Sequence, residues 1–255
     1  MRAVSYSVEN ARWYAPDEMP PLPERRLGRA EIAVTRHKSF EAALARHERY
    51  PDEHIAVLNF ASAVNPGGGV KHGARAQEES LCRCSTLYPS LDQSRFWEKY
   101  YYPNRAAGDP SYTDACIYSP GVVICKTDDA VPQRMPSEDH VTVDVVTCAA
   151  PNLRTDRYGS AEHPSVTQLK QSREALYALH LRRAGHIMHI AAANGADALI
   201  LGAFGCGAFC NDPWVVAPAW RDALAEYAAY FSYVEFAVYC TDLEMDNYIA
   251  FRDTF

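Results

Sequence analysis

Two adjacent glutamates, Glu78 and Glu79, follow a run of three glycines, Gly67 to Gly69, in one stretch of the 255-residue chain. A carboxyl group poised near neutral pH can donate a proton to a leaving oxygen and then accept one from water. Consecutive glycines let the backbone adopt positive φ and approach a ligand closely, because no Cβ intervenes. Loop amides before a helix N-terminus also suit an anion such as a diphosphate. The stretch therefore indicates acid chemistry on a phosphorylated or nucleotide-like ligand.

Each of these features also has a simpler interpretation. Three glycines are often only a flexible turn, and glutamates are favoured in the first turn of any helix because they oppose its dipole. A second small-residue stretch, Gly202 to Phe209, follows the apolar run 197–201 and precedes Asn211 and Asp212, either of which could cap the next helix. It could grip a diphosphate from the other side, or it could be a strand-to-helix turn with no ligand.

The triple glycine, its spacer and Gln77-Glu78-Glu79 together resemble the signature of the poly(ADP-ribose) glycohydrolases, a catalytic branch of the macrodomain fold, and in particular its bacterial-type members. The flanks 57–62 and 79–81 extend the resemblance. The stretch 202–209 is similar to the phosphate-binding loop of macrodomains. Further similar segments are 118–122, 147–152 and 211–213, so that the resemblance covers most of residues 54–240.

The resemblance implies a role for each residue of the site. Glu79 would be the single acid/base, Glu78 would hold the hydroxyls of the ribose being cleaved, and Gln77 would help to position the loop. Ser62 would contact the ribose, and Phe209 would pack over it to orient its anomeric carbon. The remaining expected substrate-binding residues are Asn65, Gly67, Gly68, Gly69, Gly205, Cys206, Gly207 and Ala208.

The resemblance also implies the reaction, which is cleavage of ribose–ribose O-glycosidic bonds through an oxocarbenium-like state to release ADP-ribose. We expect poly(ADP-ribose), ADP-ribose and ADP-ribosylated proteins as partners, with neither a cofactor nor a metal. Two alternatives remain: a hydrolase of single ADP-ribosyl groups on protein or other acceptors, and a non-catalytic ADP-ribose-binding macrodomain. Intact Glu78 and Glu79 favour an enzyme, because a binding module has little use for two carboxylates beside a diphosphate.

The composition is that of an ordinary globular protein, with 48% hydrophobic and 22% charged residues. A net charge of −7 does not suggest a broad nucleic-acid-binding surface or an anionic-membrane surface. The chain has no run of about 18 apolar residues and no secretory h-region, so we expect a cytoplasmic monomer that does not contact membranes. The eight cysteines do not follow zinc-finger spacing and are expected to be free thiols.

The elements that must position these residues follow from periodicity and caps. The apolar run 54–60 predicts a strand buried on both faces that leads directly into the glycines, and 197–201 predicts a similar strand before the second loop. Further strands are expected at 31–35, 116–118, 122–126, 141–148 and 234–240. Helices are expected from Ser39 as N-cap to 48, from 74 to 87, from 165 to 194 with a kink at Gly185 and a stop at Gly195, from Pro213, and at the C-terminus.

The overall prediction is an α/β fold, a macrodomain-like three-layer α/β/α sandwich with a mixed central sheet. Residues 92–115 are polar and are expected to form a long connection. Residues 1–28 are rich in proline and charge, which predicts an extended arm packed on a catalytic domain spanning residues 29–255.

Overall fold

A computed structural model describes residues 2–24, 28–154 and 171–255. Its centre is a mixed sheet of seven strands in the order β1-β4-β5-β3-β6-β7-β2. The pairs from β5 to β2 are parallel, whereas β1 and β5 pair with β4 in the antiparallel direction. The strands are β1 (Arg12–Tyr14), β2 (Glu31–Thr35), β3 (Ile55–Phe60), β4 (Cys116–Ile124), β5 (Val141–Cys148), β6 (Ala198–Leu201) and β7 (Tyr233–Ala237).

Helices cover both faces of this sheet. In β3, Ala56 and Leu58 pack into the same hydrophobic cluster as α7 and α8, whereas Ile55 and Val57 pack with α2, α3 and α4. This alternation makes the three-layer α/β/α sandwich and confirms the predicted fold class. The helices are α1 (Arg2–Asn10), α2 (Ser39–Arg49), α3 (Gln77–Cys84), α4 (Leu87–Leu91), α5 (Ser94–Phe96), α6 (Tyr102–Ala107), α7 (Arg173–Ala193), α8 (Pro213–Tyr227) and α9 (Asp246–Arg252).

The region 92–115 is not a simple connection, and here the prediction was wrong. Helices α5 and α6 are joined by a π-helical turn, Trp97–Tyr101. Tyr100 and Tyr101 are fully buried against the sheet, in the cluster that also contains Ile117 and Val145. The polar composition hid this segment because a few aromatic residues, Phe96, Tyr100 and Tyr101, anchor it in the core.

Two boundaries near the glycine stretch also differ from expectation. The helix expected from 74 to 87 is two helices, α3 and α4, because Ser85 between them is extended and bridges to Ile124 of β4. Pro89 lies in the first turn of α4, where no intrahelical N–H is required. The strand pieces 116–118 and 122–126 form one strand, β4, whose register with β5 shifts between Ser119 and Val122.

The helix termini give mixed outcomes. Lys38 occupies the N-cap position of α2, so the predicted cap at Ser39 is wrong by one residue. Asp212, one of the two candidates, caps α8 by accepting from the amide of Trp214 at 2.9 Å. The helix before Gly195 is uninterrupted at Gly185, and Gly195 ends it with a φ of 82°. Its predicted start, with Val166 and Leu169, lies outside the described residues.

The N-terminal region contains regular structure within the predicted arm. Helix α1 packs against β4, and β1 forms the edge strand beside it. Residues 15–24 contain no helix or strand, and His189 of α7 contacts the carbonyl oxygen of Pro20 at 2.7 Å. Across the described ranges, no helix has the length and apolar character needed to cross a membrane.

Candidate active site

A cleft of about 1350 Å³ opens where β3, β5 and β6 end. Residues 65–76, which we call the first loop, line one side, and residues 202–211, the second loop, line the other. This volume exceeds the roughly 300–1,000 Å³ of ordinary small-molecule sites. The two strands predicted to deliver the glycine stretches, β3 and β6, are neighbours in the sheet, so the two loops lie side by side.

Glu78 is buried in the floor of the cleft, with 3% of its surface exposed. Its Oε2 accepts a hydrogen bond from the amide of Ser62 at 2.7 Å, and its Oε1 accepts one from Asn59 Nδ2 at 3.3 Å. Burial raises the pKa of Glu78 to about 8, although these hydrogen bonds act in the opposite direction. The side chain is held rigidly and binds its proton more tightly than an exposed glutamate does.

Glu79 is held differently. Its Oε1 accepts a hydrogen bond from the amide of Gly69 at 2.8 Å. Its Oε2 is buried and has no hydrogen-bond partner in the described part of the chain. The residue as a whole lines the cleft. A buried carboxylate oxygen without a partner is costly unless a ligand supplies one.

Gln77 ties the two carboxylates to the sheet. Its Nε2 donates to the carbonyl oxygen of Leu58 at 2.8 Å and to Ser39 Oγ at 3.0 Å. Its Oε1 accepts from the amide of Phe60 at 2.9 Å. The side chain therefore satisfies backbone groups at the end of β3 and connects α3 to α2.

In the first loop, close contacts with the carboxylates require a glycine at position 68. Gly68 has a φ of 56°, and a Cβ there would lie 2.4 Å from Glu79 Oε1 and 3.0 Å from Glu78 Oε2. The loop amides are largely engaged within the protein: that of Gly68 donates to Asn65 and that of Gly69 to Glu79. This loop therefore acts first as a holder for the two acids.

Ser62 and Asn65 also stabilise the first loop. Ser62 Oγ accepts from the amides of Val64 at 3.3 Å and Asn65 at 3.1 Å. Asn65 Oδ1 accepts from the guanidinium of Arg105 in α6, which also donates to the carbonyl oxygen of Val64 at 2.8 Å. Both predicted residues line the cleft.

The second loop has open amides. Among the described residues, no acceptor takes a hydrogen bond from the backbone N–H of Gly207, Ala208 or Phe209, and all three residues line the cleft. Successive free N–H groups of this kind form a concave anion site. Cys206 does not line the cleft; its side chain packs on the hydrophobic core instead.

Asn211 supports the second loop from below and is buried. Its Nδ2 donates to the carbonyl oxygens of Pro151 at 2.8 Å and Gly205 at 3.0 Å. Its Oδ1 lies 2.9 Å from His180 Nε2. Burial lowers the pKa of His180 to about 4, so the ring is neutral and carries its proton on Nε2 to donate to Asn211. Gly205, with a φ of 79°, leaves room for this amide, since a Cβ would lie 2.8 Å from it.

Phe209 stands at the mouth of the cleft beside Tyr112, with ring centroids 6.2 Å apart and planes at 47°. Tyr112 has a φ of 53° and comes from the segment between α6 and β4. The fully buried Arg183 links the segment before Tyr112 to the end of β5. Its guanidinium donates to the carbonyl oxygen of Ser111 at 3.0 Å and to that of Ala149 at 2.7 Å. The two rings form an aromatic wall at this end of the site.

Sequence reasoning missed several residues of the cleft. Arg75, Arg83, Lys38 and Tyr239 all line it. Arg83 could have been found from its position four residues after Glu79 on the same helix. Lys38 and Tyr239 come from the loops after β2 and β7, and only the sheet order brings them to the site.

No group of three or more His, Cys, Asp or Glu side chains in residues 2–24, 28–154 and 171–255 is arranged to hold a metal ion. All eight cysteines are free thiols. The described residues of the cleft offer two buried carboxyls, open amides and an aromatic wall.

Comparisons with known proteins agree with this geometry. The family model of the microbial-type PARG (poly(ADP-ribose) glycohydrolase) catalytic domain matches residues 1–127. No match was found among curated proteins. Among solved structures, poly(ADP-ribose) glycohydrolase from Thermomonospora curvata is 32% identical with a TM-score of 0.83, covering 100% of this chain and 89% of that one.

A second solved structure, poly(ADP-ribose) glycohydrolase from Deinococcus radiodurans in complex with ADP-ribose, is 33% identical with a TM-score of 0.84. The match covers 100% of this chain and 97% of that one. The T. curvata enzyme bound to the inhibitor ADP-HPD is also similar, with a TM-score of 0.81 at 32% identity, covering 100% of this chain and 88% of that one. This chain belongs to the microbial-type poly(ADP-ribose) glycohydrolases.

Proposed function

We propose that this protein hydrolyses the ribose–ribose O-glycosidic bonds of poly(ADP-ribose) and releases ADP-ribose. One observation carries the proposal: Glu79 has one oxygen fixed by the amide of Gly69 and a second, buried oxygen with no partner in the described residues, in a cleft that also presents open amides. A proton donor and an anion site in one cleft suit a substrate that contains both a glycosidic bond and a diphosphate.

Glu79 performs both proton transfers of the reaction. A sugar alkoxide is a poor leaving group, so Glu79 protonates the departing oxygen as the bond from that oxygen to the anomeric carbon breaks. The electron pair of that bond leaves with the oxygen, and an oxocarbenium-like ribose remains. Glu79, now a carboxylate, accepts a proton from the water that adds to the anomeric carbon, which restores the acid.

Glu78 binds the ribose hydroxyls and stabilises the site while its own carboxyl stays largely uncharged. With a pKa of about 8 it is largely protonated at pH 7, and so it adds little negative charge beside a diphosphate. Its two oxygens already accept bonds from Ser62 and Asn59, which fixes their position. In the protonated carboxyl, the O–H can donate to one ribose hydroxyl and the carbonyl oxygen can accept from another.

The second loop binds the diphosphate. The amides of Gly207, Ala208 and Phe209 supply the donors, and the ring of Phe209 packs over the ribose. Ser62 supplies a hydroxyl contact to the same sugar. A backbone cradle explains how a protein with a net charge of −7 can bind a polyanion, since the attraction is local.

We also infer the setting in which the enzyme works. All the residues assigned here lie within residues 29–255, and we propose a monomer whose catalytic domain spans that range with residues 1–28 packed on it. Eight free thiols fit a reducing compartment and support a cytoplasmic location. The enzyme acts on poly(ADP-ribose) chains attached to ADP-ribosylated proteins.

The first experiment measures release of ADP-ribose from poly(ADP-ribose) chains and from a singly ADP-ribosylated protein, with wild type and Glu79→Gln. We expect Glu79→Gln to lose about 1,000-fold or more of the turnover on chains, because it cannot transfer a proton. Its affinity for ADP-ribose, measured by calorimetry, should stay within about threefold of wild type, because the fold and the loops remain.

The matched control is Glu48→Gln on the exposed side of α2, which should keep full activity. Glutamate-dependent release from the single modification but not from chains would instead assign the protein to the mono-ADP-ribosyl hydrolases. Binding of ADP-ribose without cleavage of either substrate by wild type would leave a non-catalytic binding module. Turnover that survives Glu79→Gln would refute the proton-transfer role.

A further inference from the structure

Besides the catalytic carboxylates, the cleft is lined by residues 71–76 of the first loop and by Ser80, Leu81 and Arg83 of helix α3; we call this part of the cleft the extension. Two arginines line this extension, Arg75 and Arg83. Arg75 is exposed, and among the described residues no acidic side chain pairs with it. Arg83 is half-buried and lies one helical turn after Glu79, so the two side chains project from the same face of α3.

A short series of hydrogen bonds fixes the position of Arg83 relative to the acid. Its guanidinium donates to the carbonyl oxygen of Ala74, and the amide of Ala74 donates to the carbonyl oxygen of Gly69 at 3.2 Å. The amide of Gly69 in turn donates to Glu79 at 2.8 Å. The same few residues therefore hold both the proton donor and the guanidinium, and the remaining N–H groups of Arg83 are available to a ligand.

The other charged side chains along this extension are mostly neutralised. Lys71 lies 3.5 Å from Asp92, and Lys38 lies 3.9 Å from Asp128. Asp129 is exposed and also lines the cleft. The two arginines thus make this side of the cleft locally positive in a protein whose net charge is −7.

We propose that Arg75 and Arg83 form a binding site for a phosphate group on the leaving-group side of the scissile bond; this rests on the proposed function. Each unit of a poly(ADP-ribose) chain carries a diphosphate, so the unit that departs from Glu79 brings an anion into this extension. Guanidinium groups bind phosphate through paired N–H donors. The site therefore favours acceptors that carry a phosphate over uncharged acceptors such as a hydroxyl-bearing amino acid.

The test uses the Glu79→Gln protein, which holds substrate without cleaving it, and compares its affinity for ADP-ribose with that for a two-unit chain by calorimetry at low salt. The two-unit chain should bind about tenfold more tightly, because charge-assisted hydrogen bonds to a second diphosphate are added. Adding Arg75→Gln and Arg83→Gln should remove this difference while the affinity for ADP-ribose changes by less than about twofold. Adding Arg75→Lys and Arg83→Lys should restore part of it.

The control is Arg49→Gln in the same background, because Arg49 lies at the end of α2 and does not line the cleft. If the double variant does not fold, Arg75→Gln alone replaces it, with an expected loss of about threefold in the affinity for the two-unit chain only.

The outcomes separate the two proposals. If Glu79→Gln binds neither ligand, the proposed function fails. If it binds ADP-ribose but the two-unit chain binds no more tightly, or keeps its advantage without the arginines, the phosphate site alone is overturned.

Discussion

The two glycine loops have the same local plan, a buried strand followed by small residues and a helix, yet they do different work. In the first loop the amides of Gly68 and Gly69 donate within the protein, and the second of them binds Glu79. In the second loop, within the described structure, the amides of Gly207 and Ala208 have no acceptor. One loop positions acids, and the other presents donors.

The difference has a physical cause in what lies beneath each loop. Under the first loop, α3 brings two buried carboxyls whose oxygens need N–H donors, and the loop supplies one of them. Under the second, Asn211 Nδ2 donates to the carbonyl oxygens of Pro151 and Gly205, and Asp212 caps α8 with its own side chain. The amides of a glycine-rich loop thus stay free for an anion only when other groups make the hydrogen bonds that the surrounding polar atoms need.

Among substitutions that test this comparison of the two loops, the largest expected effect comes from Gly68→Ala. The new Cβ would lie 2.4 Å from Glu79 Oε1, so the carboxylate must move away from its catalytic position. We expect turnover to fall by about 100-fold to 1,000-fold. The free energy of unfolding should fall by only about 1 kcal/mol, because the colliding atom is the end of a flexible side chain and the main cost is a positive φ.

Gly73→Ala is the matched control for this change. Gly73 has a φ of 80°, but nothing lies within 4 Å of its would-be Cβ. It should lose a similar free energy of unfolding, about 1 kcal/mol, and retain its turnover. Equal losses of turnover in the two variants would show that backbone strain, and not the position of Glu79, controls activity.

A second test concerns the protonation of Glu78. Its pKa is raised from 4.5 in the unfolded chain to about 8 in the fold, so the stability that it contributes is fully present below pH 4.5 and is lost as the pH rises through 8. Between those values wild type should lose about 2 to 4 kcal/mol relative to Glu78→Gln, which does not titrate. Urea denaturation at a series of pH values measures this difference.

The control for the pH series is Glu48→Gln, an exposed change that should leave the pH dependence of wild type intact. A wild-type curve parallel to that of Glu78→Gln between pH 4.5 and 8 would mean that the carboxyl is ionised in the fold. Glu78 would then contribute a full negative charge next to Glu79.

The smallest effect is expected in the second loop, from Asn211→Ala. It removes hydrogen bonds to Pro151 and Gly205 and leaves His180 Nε2 without an acceptor, at a cost of about 2 kcal/mol in the free energy of unfolding. Calorimetry should show about tenfold weaker binding of ADP-ribose, because the loop amides lose their alignment.

Turnover of bound substrate by Asn211→Ala should change by less than about threefold, since the acids belong to the other loop. Gly207→Ala is the control for stability, because nothing lies within 4 Å of the added Cβ. A loss of turnover in Asn211→Ala with unchanged ADP-ribose affinity would contradict the division of labour between the loops.

The sequence predicted the fold class and the strands that deliver both loops, because an apolar run such as 55–60 is a local signal of a doubly buried strand. It also located Glu78 and Glu79 at the start of a helix. It failed at 92–115, where burial of Tyr100 and Tyr101 outweighs a polar composition. It was also wrong at Ser39, because the cap is decided by backbone conformation at Lys38.

By itself, the sequence determined which parts this protein contains: two acids, two small-residue loops and the strands and helices around them. Each of these can be recognised from residues that are neighbours along the chain. The tertiary structure decided which atoms of these parts are engaged and which are free. Only the fold leaves Glu79 Oε2 without a partner among the described residues, engages one set of amides and opens the other. The second loop shows the long-range part most clearly, because Asn211 finds its acceptor at Pro151, 60 residues away in the sequence.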